Sequence, residues 1–262
     1  MDFQYILTHV ERRIAYLTLN RPEVLNSFNE QMHQEVAFIL DHWQQSEQIK
    51  VIVITGMGKG FCAGQDLSAR KPEMIEHPDY DAGASLEKYY NPLILKIAQM
   101  PKVVIAAVNG VAAGAGANIA LACDVVVAKQ SASFIQSFSK VGLIPDAGGT
   151  WILPRLVGHA RAKALTFLGN KLPADKALQW GMIWEVYPDD EFQNQVNALA
   201  ETLALQPSSS VRLIKKALNL SGQNSLEQQL NLERDLQKEA GKSTNYREGV
   251  QAFMQKRSAN FD

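Results

Sequence analysis

The feature that most constrains the fold is a run of 21 residues, 103–123, without a charged side chain. A helix of this length can span a bilayer. The run is interrupted, however, by five residues that are polar or lack a side chain: Asn109, Gly110, Gly114, Gly116 and Asn118. Most of the remainder is alanine and valine, whereas a spanning helix is richer in leucine, isoleucine and phenylalanine. We therefore interpret the run as buried structure of a globular protein.

The surrounding pattern predicts an α/β fold. The run itself divides into a strand at 103–108, a turn and a helix from about 114 to 123. Residues 51–54 form a second continuous apolar strand, of the kind that is buried on both faces. Apolar residues recur with helical spacing from about 32 to 45, and Ser27 and Glu30 have the spacing of a capping box before them.

The character of the chain changes after about Gly169, where four amphipathic segments predict a helical C-terminal region. We expect residues 1–195 to form the core and residues 196–262 to form this helical region. Lys and Arg number 26 and Asp and Glu number 27, so the net charge of −1 argues against a polybasic nucleic-acid binder. Met1-Asp2-Phe3 does not open a signal peptide, and we expect a cytoplasmic protein without a membrane span.

Several reactive side chains are expected to be structural. The two cysteines, Cys62 and Cys123, are too few for a disulfide framework, and Cys62 is expected to fill a small buried space rather than act as a nucleophile. The five histidines form no cluster with the spacing of metal ligands. We expect His33 and His42 on the solvated face of a helix.

Two glycine- and alanine-rich loops each follow a buried strand, at 55–66 and 109–116. Their small side chains let a ligand approach the backbone closely. Backbone N–H groups in such loops, and at the start of the helix that follows the second loop, can hold an oxyanion. Tight packing of helix on sheet also favours glycine and alanine, and composition alone leaves that alternative open.

Two aspartates have ambiguous surroundings. Asp146 lies in the segment 142–150, where apolar neighbours disfavour the charged form of its carboxylate and favour the role of a base. Pro145-Asp146-Ala147-Gly148 is also ordinary turn sequence, and local sequence alone favours the turn. Asp66 follows the first loop, and there we favour a role in fixing the loop.

Four segments resemble motifs of the enoyl-CoA hydratase/isomerase (crotonase) family, in the right order over essentially the whole chain. They are Asn20-Arg21-Pro22 with Asn26-Ser27, then residues 60–67 (GFCAGQDL), 109–116 (NGVAAGAG) and 142–150 (GLIPDAGGT). The resemblance implies an α/β, ClpP-like crotonase fold, in which ββα units form a spiral. It also implies that the C-terminal helices serve trimerisation, giving a homotrimer or a dimer of trimers.

The resemblance further implies an acyl-CoA thioester as substrate. By position, the backbone N–H groups of Gln65 and Ala115 form the oxyanion hole, which favours ligand binding over mere packing. The two catalytic glutamates of the family's hydratases fall on Asn118 and Phe138, neither of which can serve as an acid or base. Asp146 is the carboxylate that remains, so an isomerase with a single acid/base is expected, without a metal or redox cofactor, because the substrate carries the coenzyme A.

The remaining implied contacts are to coenzyme A and the acyl chain. The positions around the adenine and pantetheine are Val24, Ala63, Gln65, Asp66 and Leu67, and Gly114 adjoins the oxyanion hole. Phe253 and Lys256 match a C-terminal Phe-x-x-Lys that contacts coenzyme A in some members, from the same or a neighbouring subunit. A solvated terminal helix is the alternative for these two.

Two other functions remain open at the level of sequence. One is a simple Δ3,Δ2-enoyl-CoA isomerase or an enoyl-CoA hydratase on the same fold. The other is a non-catalytic member that binds RNA or another partner. The retained Asp146, the two small-residue loops and the net charge of −1 speak against the second.

Overall fold

The computed structural model describes residues 3–68 and 76–261. Ten strands lie in these residues: β1 (Ile6–Glu11), β2 (Ile14–Leu19), β3 (Val51–Gly56), β4 (Gly60–Cys62), β5 (Val103–Val108), β6 (Val111–Ala113), β7 (Val125–Lys129), β8 (Ser133–Ile135), β9 (Lys171–Pro173) and β10 (Glu185–Tyr187). They form two sheets. The larger has the order β1-β2-β3-β5-β7-β10, and the smaller has the order β4-β6-β8-β9.

The helices in the described residues are α1 (Glu30–Gln45), α2 (Asn91–Gln99), α3 (Ala115–Leu121), α4 (Gly149–Leu168, broken at Gly158), α5 (Ala174–Gln179), α6 (Phe192–Ala204), α7 (Ser208–Ser221), α8 (Leu226–Ala240) and α9 (Thr244–Gln255). A π-helical segment, Leu86–Tyr90, leads into α2. Short 3₁₀ turns lie at Pro22–Val24 and Ser137–Val141.

The chain winds as repeated ββα units. In each of three successive units the first strand joins the larger sheet and the second joins the smaller: β3 with β4, β5 with β6, and β7 with β8. A helix follows each pair, and the joined strands β2-β3-β5-β7 run parallel. The carboxyl ends of β4 and β6 therefore lie side by side in the smaller sheet, and the loops that follow them meet.

The uncharged run forms β5, β6 and the seven-residue α3. All six residues of β5 are buried, as expected for a central strand covered on both faces. None of the described helices combines the length and apolar character that crossing a membrane requires. The run lacks charge because it forms the centre of the core.

The larger sheet is covered on both faces. One face packs on α1 and on the smaller sheet, through residues such as Ile52 and Val104. The other face, with Val53 and Ile105, packs against α6. The predicted boundary after residue 195 falls inside α6, so the division into a core and a helical region stays a prediction.

Two expectations about α1 are wrong. Asn29, not Ser27, caps the helix, because its side-chain oxygen accepts from the Met32 N–H at 2.9 Å. The hydroxyl of Ser27 donates instead to the Val24 carbonyl. His33 is buried rather than solvated, since it turns toward the rings of Phe28 and Tyr90, whereas His42 is exposed as predicted.

Candidate active site

The first glycine- and alanine-rich loop, 55–66, pairs with Phe28 through an isolated parallel β-bridge at Gln65. The Phe28 N–H donates to the Gly64 carbonyl at 2.7 Å, and the Asp66 N–H donates to the Phe28 carbonyl at 2.9 Å. In such a parallel bridge the N–H of the intervening residue points to the opposite side. The Gln65 N–H therefore points away from Phe28, and no described residue accepts it.

The second loop brings another N–H to the same place. Gly114 has φ 53° and ψ −130°, a conformation that suits glycine, and it turns the chain into α3. Ala115 is the first residue of α3, so its N–H has no partner within the helix. No side chain caps this end of the helix.

Glycines let the two loops meet at van der Waals distance. Gly64 has φ 93°, and a methyl group there would lie 3.1 Å from the Ala115 nitrogen and 3.0 Å from the Ala113 oxygen. A methyl group at Gly116 would lie 2.2 Å from the Cys62 oxygen. The contact places the residues that carry the two predicted N–H donors on adjoining loops, an arrangement that can stabilise negative charge on a carbonyl oxygen.

Asp146 lies on a third loop, which contacts α3 through the Asn118 side chain. The Asp146 carbonyl accepts from the Asn118 side chain at 2.8 Å and from the Gly149 N–H at 2.8 Å. The second of these bonds closes a turn over residues 146–149, one residue later than local sequence predicts. Asp146 is half-buried. It does not cap α4, because Gly148 is the residue at that position and no side chain caps it.

Asp66 is held by its own neighbours. Its carboxylate forms an ion pair with Arg21 at 2.9 Å and accepts from the hydroxyl and N–H of Ser68. Burial opposes its charged form, but the bonds from Ser68 and Arg21 outweigh burial and the pKa of Asp66 is lowered. These contacts fix the loop, as the sequence suggests, and a contact of Asp66 with coenzyme A stays a prediction.

The other predicted coenzyme A positions border the same loop. The Ala63 N–H donates to the Leu25 carbonyl at 2.9 Å, which joins the loop to the 3₁₀ turn that contains Val24. Leu67 is exposed. Val24, Ala63 and Leu67 therefore lie close to Gln65 along a partly open surface, and their role in binding stays a prediction.

The C-terminal pair lies elsewhere in the single chain. Phe253 is 85% exposed on α9, and Lys256 follows the last residue of that helix. The helix begins beside α7, where the Asn245 side chain contacts Ser209. The tail after it reaches Lys50, at the start of β3 and so at the edge of the sheet opposite to the loops. A cavity of about 1010 Å³ at that edge contains none of the predicted site residues.

Sequence reasoning missed the structural roles of two residues at the site. Asn118 is fully buried and holds the Asp146 loop, and Phe138 is buried with its ring 3.9 Å from where a methyl group on Gly114 would lie. An amide in the predicted helical part of an uncharged run is the signal that points to Asn118, because a buried amide needs hydrogen-bond partners. Cys62 is fully buried, as predicted for a residue that fills a small space in the core. Burial raises the pKa of its thiol to about 12, which disfavours the nucleophilic thiolate.

Comparison with known proteins gives a consistent match. A family model for enoyl-CoA hydratase/isomerase matches residues 9–262. The chain is 52% identical over 258 residues to 1,2-epoxyphenylacetyl-CoA isomerase of Escherichia coli, with 98% of each chain covered. It is 45% identical over 261 residues to a probable enoyl-CoA hydratase of Rhodobacter capsulatus, covering 100% of this chain and 99% of the relative. The crystal structure of enoyl-CoA hydratase from Bacillus anthracis superposes with a TM-score of 0.92 at 31% identity, covering 98% of this chain and 99% of that one.

Proposed function

Since the chain is an enzyme of the enoyl-CoA hydratase/isomerase family, we propose that it isomerises an acyl-CoA thioester. The Gln65 and Ala115 N–H groups polarise the thioester carbonyl, and Asp146 moves a proton within the substrate. Gly114 gives the thioester access to these N–H groups, and Val24, Ala63, Asp66 and Leu67 line the path of coenzyme A.

One observation carries this proposal. The short helix α3 begins with Ala115 and, one turn later, carries the Asn118 side chain that binds the Asp146 carbonyl at 2.8 Å. The polarising donor and the carboxylate loop are therefore attached to one rigid element. Such fixed geometry is what a proton transfer beside a polarised carbonyl requires.

The mechanism follows from these groups. Negative charge develops on the thioester oxygen when a proton leaves the α-carbon, and each oxyanion donor lowers that barrier by roughly 3 kcal/mol. Asp146 accepts this proton and returns it to another carbon of the conjugated system. The product contains the same atoms as the substrate, so the step balances without water, a metal or a redox cofactor.

Hydration has less support from the side chains present. Addition of water in the family's hydratases uses two glutamates, whose positions are those of Asn118 and Phe138. Both residues are buried, and neither an amide nor a phenyl ring can take a proton from water at neutral pH. A single carboxylate suits a proton shuttle better than the activation of water against a second acid.

The proposed substrate is ring-1,2-epoxyphenylacetyl-CoA and the product is oxepin-CoA. In this isomerisation the bond between the two epoxide carbons breaks as the ring expands to seven members, and the proton that leaves the α-carbon returns to a ring carbon. The similarity to 1,2-epoxyphenylacetyl-CoA isomerase of Escherichia coli, at 52% identity over 258 residues, supports this choice. The same proton shuttle also serves a double-bond shift in a later unsaturated acyl-CoA of phenylacetate catabolism. We further propose a cytoplasmic homotrimer or dimer of trimers that works beside other enzymes of that pathway.

The decisive experiment compares wild type with Asp146→Asn, using the epoxide and a 3-enoyl-CoA as substrates. We expect Asp146→Asn to keep its thermal unfolding midpoint and its affinity for coenzyme A but to lose about 100-fold or more in kcat. Asp175→Asn, which neutralises an exposed aspartate on α5, is the matched control and is expected to retain full activity.

Each other outcome selects a different function. Turnover of the 3-enoyl-CoA alone would make the chain a Δ3,Δ2-enoyl-CoA isomerase. Appearance of a 3-hydroxyacyl-CoA would make it a hydratase. Inactivity of wild type on every acyl-CoA, together with RNA binding that weakens steeply with salt, would favour a non-catalytic member. Unchanged kcat in Asp146→Asn would remove Asp146 as the acid/base.

A further inference from the structure

We propose that Asn118 and Gln136 are positioning residues, which set the place of the Asp146 carboxylate relative to the Ala115 N–H. This inference rests on the proposed function, because it concerns the same proton transfer. Neither residue touches the reacting atoms in the proposal. Their side chains act through the loop that carries Asp146.

The two amides form a buried chain of hydrogen bonds. Gln136 Nε2 donates to Asn118 Oδ1 at 2.8 Å, and Asn118 Nδ2 donates to the Asp146 carbonyl at 2.8 Å. Asn118 is fully buried and Gln136 is 3% exposed. Buried amides hold their partners firmly, because water is not there to replace a broken bond.

Gly149 shows how closely the loop fits the Asn118 amide. A methyl group at residue 149 would lie 2.3 Å from Nδ2 of Asn118, and its other near contacts are also atoms of this side chain. The Gly149 N–H bonds to the same Asp146 carbonyl at 2.8 Å. Asn118 therefore contacts the loop on both sides of its turn and leaves no room for it to move toward α3.

The backbone of the loop needs such support. Ala147 has φ 46° and Gly148 has φ 79°, and a positive φ is unfavourable for alanine. Residues held in this region persist where their surroundings fix them. The amide of Asn118 supplies that fixation, and an ionised glutamate at the same position would have no proton to donate to the Asp146 carbonyl.

The first test is the variant Asn118→Ala, assayed with whichever of the two acyl-CoA esters the wild type isomerises faster. We expect kcat to fall about 10- to 100-fold while KM stays within about twofold, because displacement of the carboxylate affects the proton transfer and not coenzyme A binding. Ile119→Ala, a truncation of the next buried residue of α3, is the matched control. It is expected to lower the unfolding midpoint as much and to leave kcat unchanged.

A double-mutant cycle gives a readout that a general loss of stability would not move. Gly149→Ala alone pushes on the Asn118 amide and is expected to lower kcat. In an Asn118→Ala background the obstructing atoms are gone, so adding Gly149→Ala is expected to lower kcat no further. Losses that multiply in the double variant would overturn the proposed coupling. Where Asn118→Ala fails to fold, the nearly isosteric Asn118→Leu takes its place in the measurement of kcat and KM, and Asn118→Ser, whose side chain is shorter, takes its place in the cycle.

The outcomes separate this inference from the proposed function. Full activity in Asp146→Asn would remove the proposed acid/base itself. A strong loss in Asp146→Asn, with kcat within about twofold of wild type in Asn118→Ala, would leave the function standing and overturn the positioning role alone.

Discussion

His33 shows at the scale of one residue how surroundings decide what a titratable group does. Its ring lies 4.5 Å from that of Tyr90 and 4.6 Å from that of Phe28, and it stacks on Tyr89 at 4.9 Å. The buried Nε2 has no hydrogen-bond partner among the described residues. Burial lowers the pKa of His33 from 6.5 to about 4, and the nearby Glu30 carboxylate only partly opposes this.

This buried imidazole predicts an acid-dependent loss of stability. Between pH 6.5 and about 4 the unfolded chain binds a proton at His33 that the folded chain does not. The contribution of the neutral His33 to the free energy of unfolding should therefore be fully present above pH 6.5. The free energy of unfolding should decrease by up to about 3 kcal/mol as the pH falls toward 4. Denaturant unfolding at several pH values measures this. His33→Phe should flatten the profile in that range, whereas His42→Phe, at an exposed position of the same helix, should not. An unaltered slope in His33→Phe would contradict the assignment.

Two aspartates near the loops differ in what they can do. The lowered pKa of Asp66 keeps its carboxylate ionised, and this carboxylate is bonded to Arg21 and Ser68. A carboxylate held by these bonds is better suited to fixing the loop than to transferring a proton. The loop that carries Asp146 is held through its main chain, since the Asp146 carbonyl accepts from the Asn118 side chain at 2.8 Å.

At the scale of elements, the contact between β4 and the start of α3 fixes the position of the proposed oxyanion donor, the Ala115 N–H. In an exposed helix, replacing glycine by alanine is favourable by about 1 kcal/mol. At Gly116 the added methyl group would lie 2.2 Å from the Cys62 carbonyl oxygen, which belongs to the backbone and cannot rotate away. α3 must then move off the strand and carry the Ala115 N–H with it.

Gly116→Ala is therefore expected to lower kcat/KM by about 100-fold or more, the effect of losing one oxyanion donor. Its unfolding midpoint should fall as well. Gly222→Ala is the matched control, since Gly222 has φ −74° and a methyl group there meets only the Arg155 side chain at 3.7 Å. Steady-state kinetics and thermal unfolding of both variants check this. Wild-type kcat/KM in Gly116→Ala would show that α3 does not carry a donor.

Sequence patterns predicted several elements, including the short helix α3, but not the 20-residue helix α4 or the short strands β4 and β6. The crotonase fold inferred from four motifs is confirmed by the superposition at a TM-score of 0.92, and β3, β5 and α1 lie where the apolar patterns predict them. Strands β4 and β6 were interpreted as loop, because each has three residues of which only one, Phe61 or Val111, favours strand, and each pairs only with distant segments. The hydrogen bond from Asn118 to the Asp146 carbonyl was not predicted for the same reason, because the two residues are 28 positions apart in the sequence.

At the scale of the whole molecule, a partly buried ion pair is one of the contacts that join the C-terminal helices to the core. Lys215 of α7 donates to the Asp124 carboxylate at 2.7 Å and to the Ile97 carbonyl at 2.8 Å. Burial raises the pKa of Asp124, although Lys215 opposes the shift. The pair fixes α7, while several large apolar side chains of the C-terminal helices stay exposed: Ile214, Leu218, Leu226, Leu230, Phe253 and Met254. Exposed apolar surface of this kind favours the proposed assembly.

The position of α9 predicts that active sites are shared between subunits. In the single chain the tail after α9 bonds to Lys50 at the sheet edge opposite to the loops, so Phe253 and Lys256 are expected to reach a neighbour's coenzyme A. The test mixes two defective proteins, Asp146→Asn and the double variant Phe253→Ala/Lys256→Ala, after subunit exchange. A hybrid site then joins an intact Asp146 to an intact tail from the other subunit. We expect activity at low substrate concentration to exceed the mean of the two parents by about threefold or more.

The alternative geometry gives the opposite result. If each tail serves its own subunit, every site in the mixture contains one defect, and activity equals the mean of the parents at every mixing ratio. Substituting two side chains on an exposed helix surface changes little of the chain's own packing, so the double variant should unfold at the wild-type temperature and raise KM rather than lower kcat. Subunit exchange, followed by mass spectrometry, verifies that hybrids form. Formed hybrids without recovered activity would place the tail of each subunit at its own site.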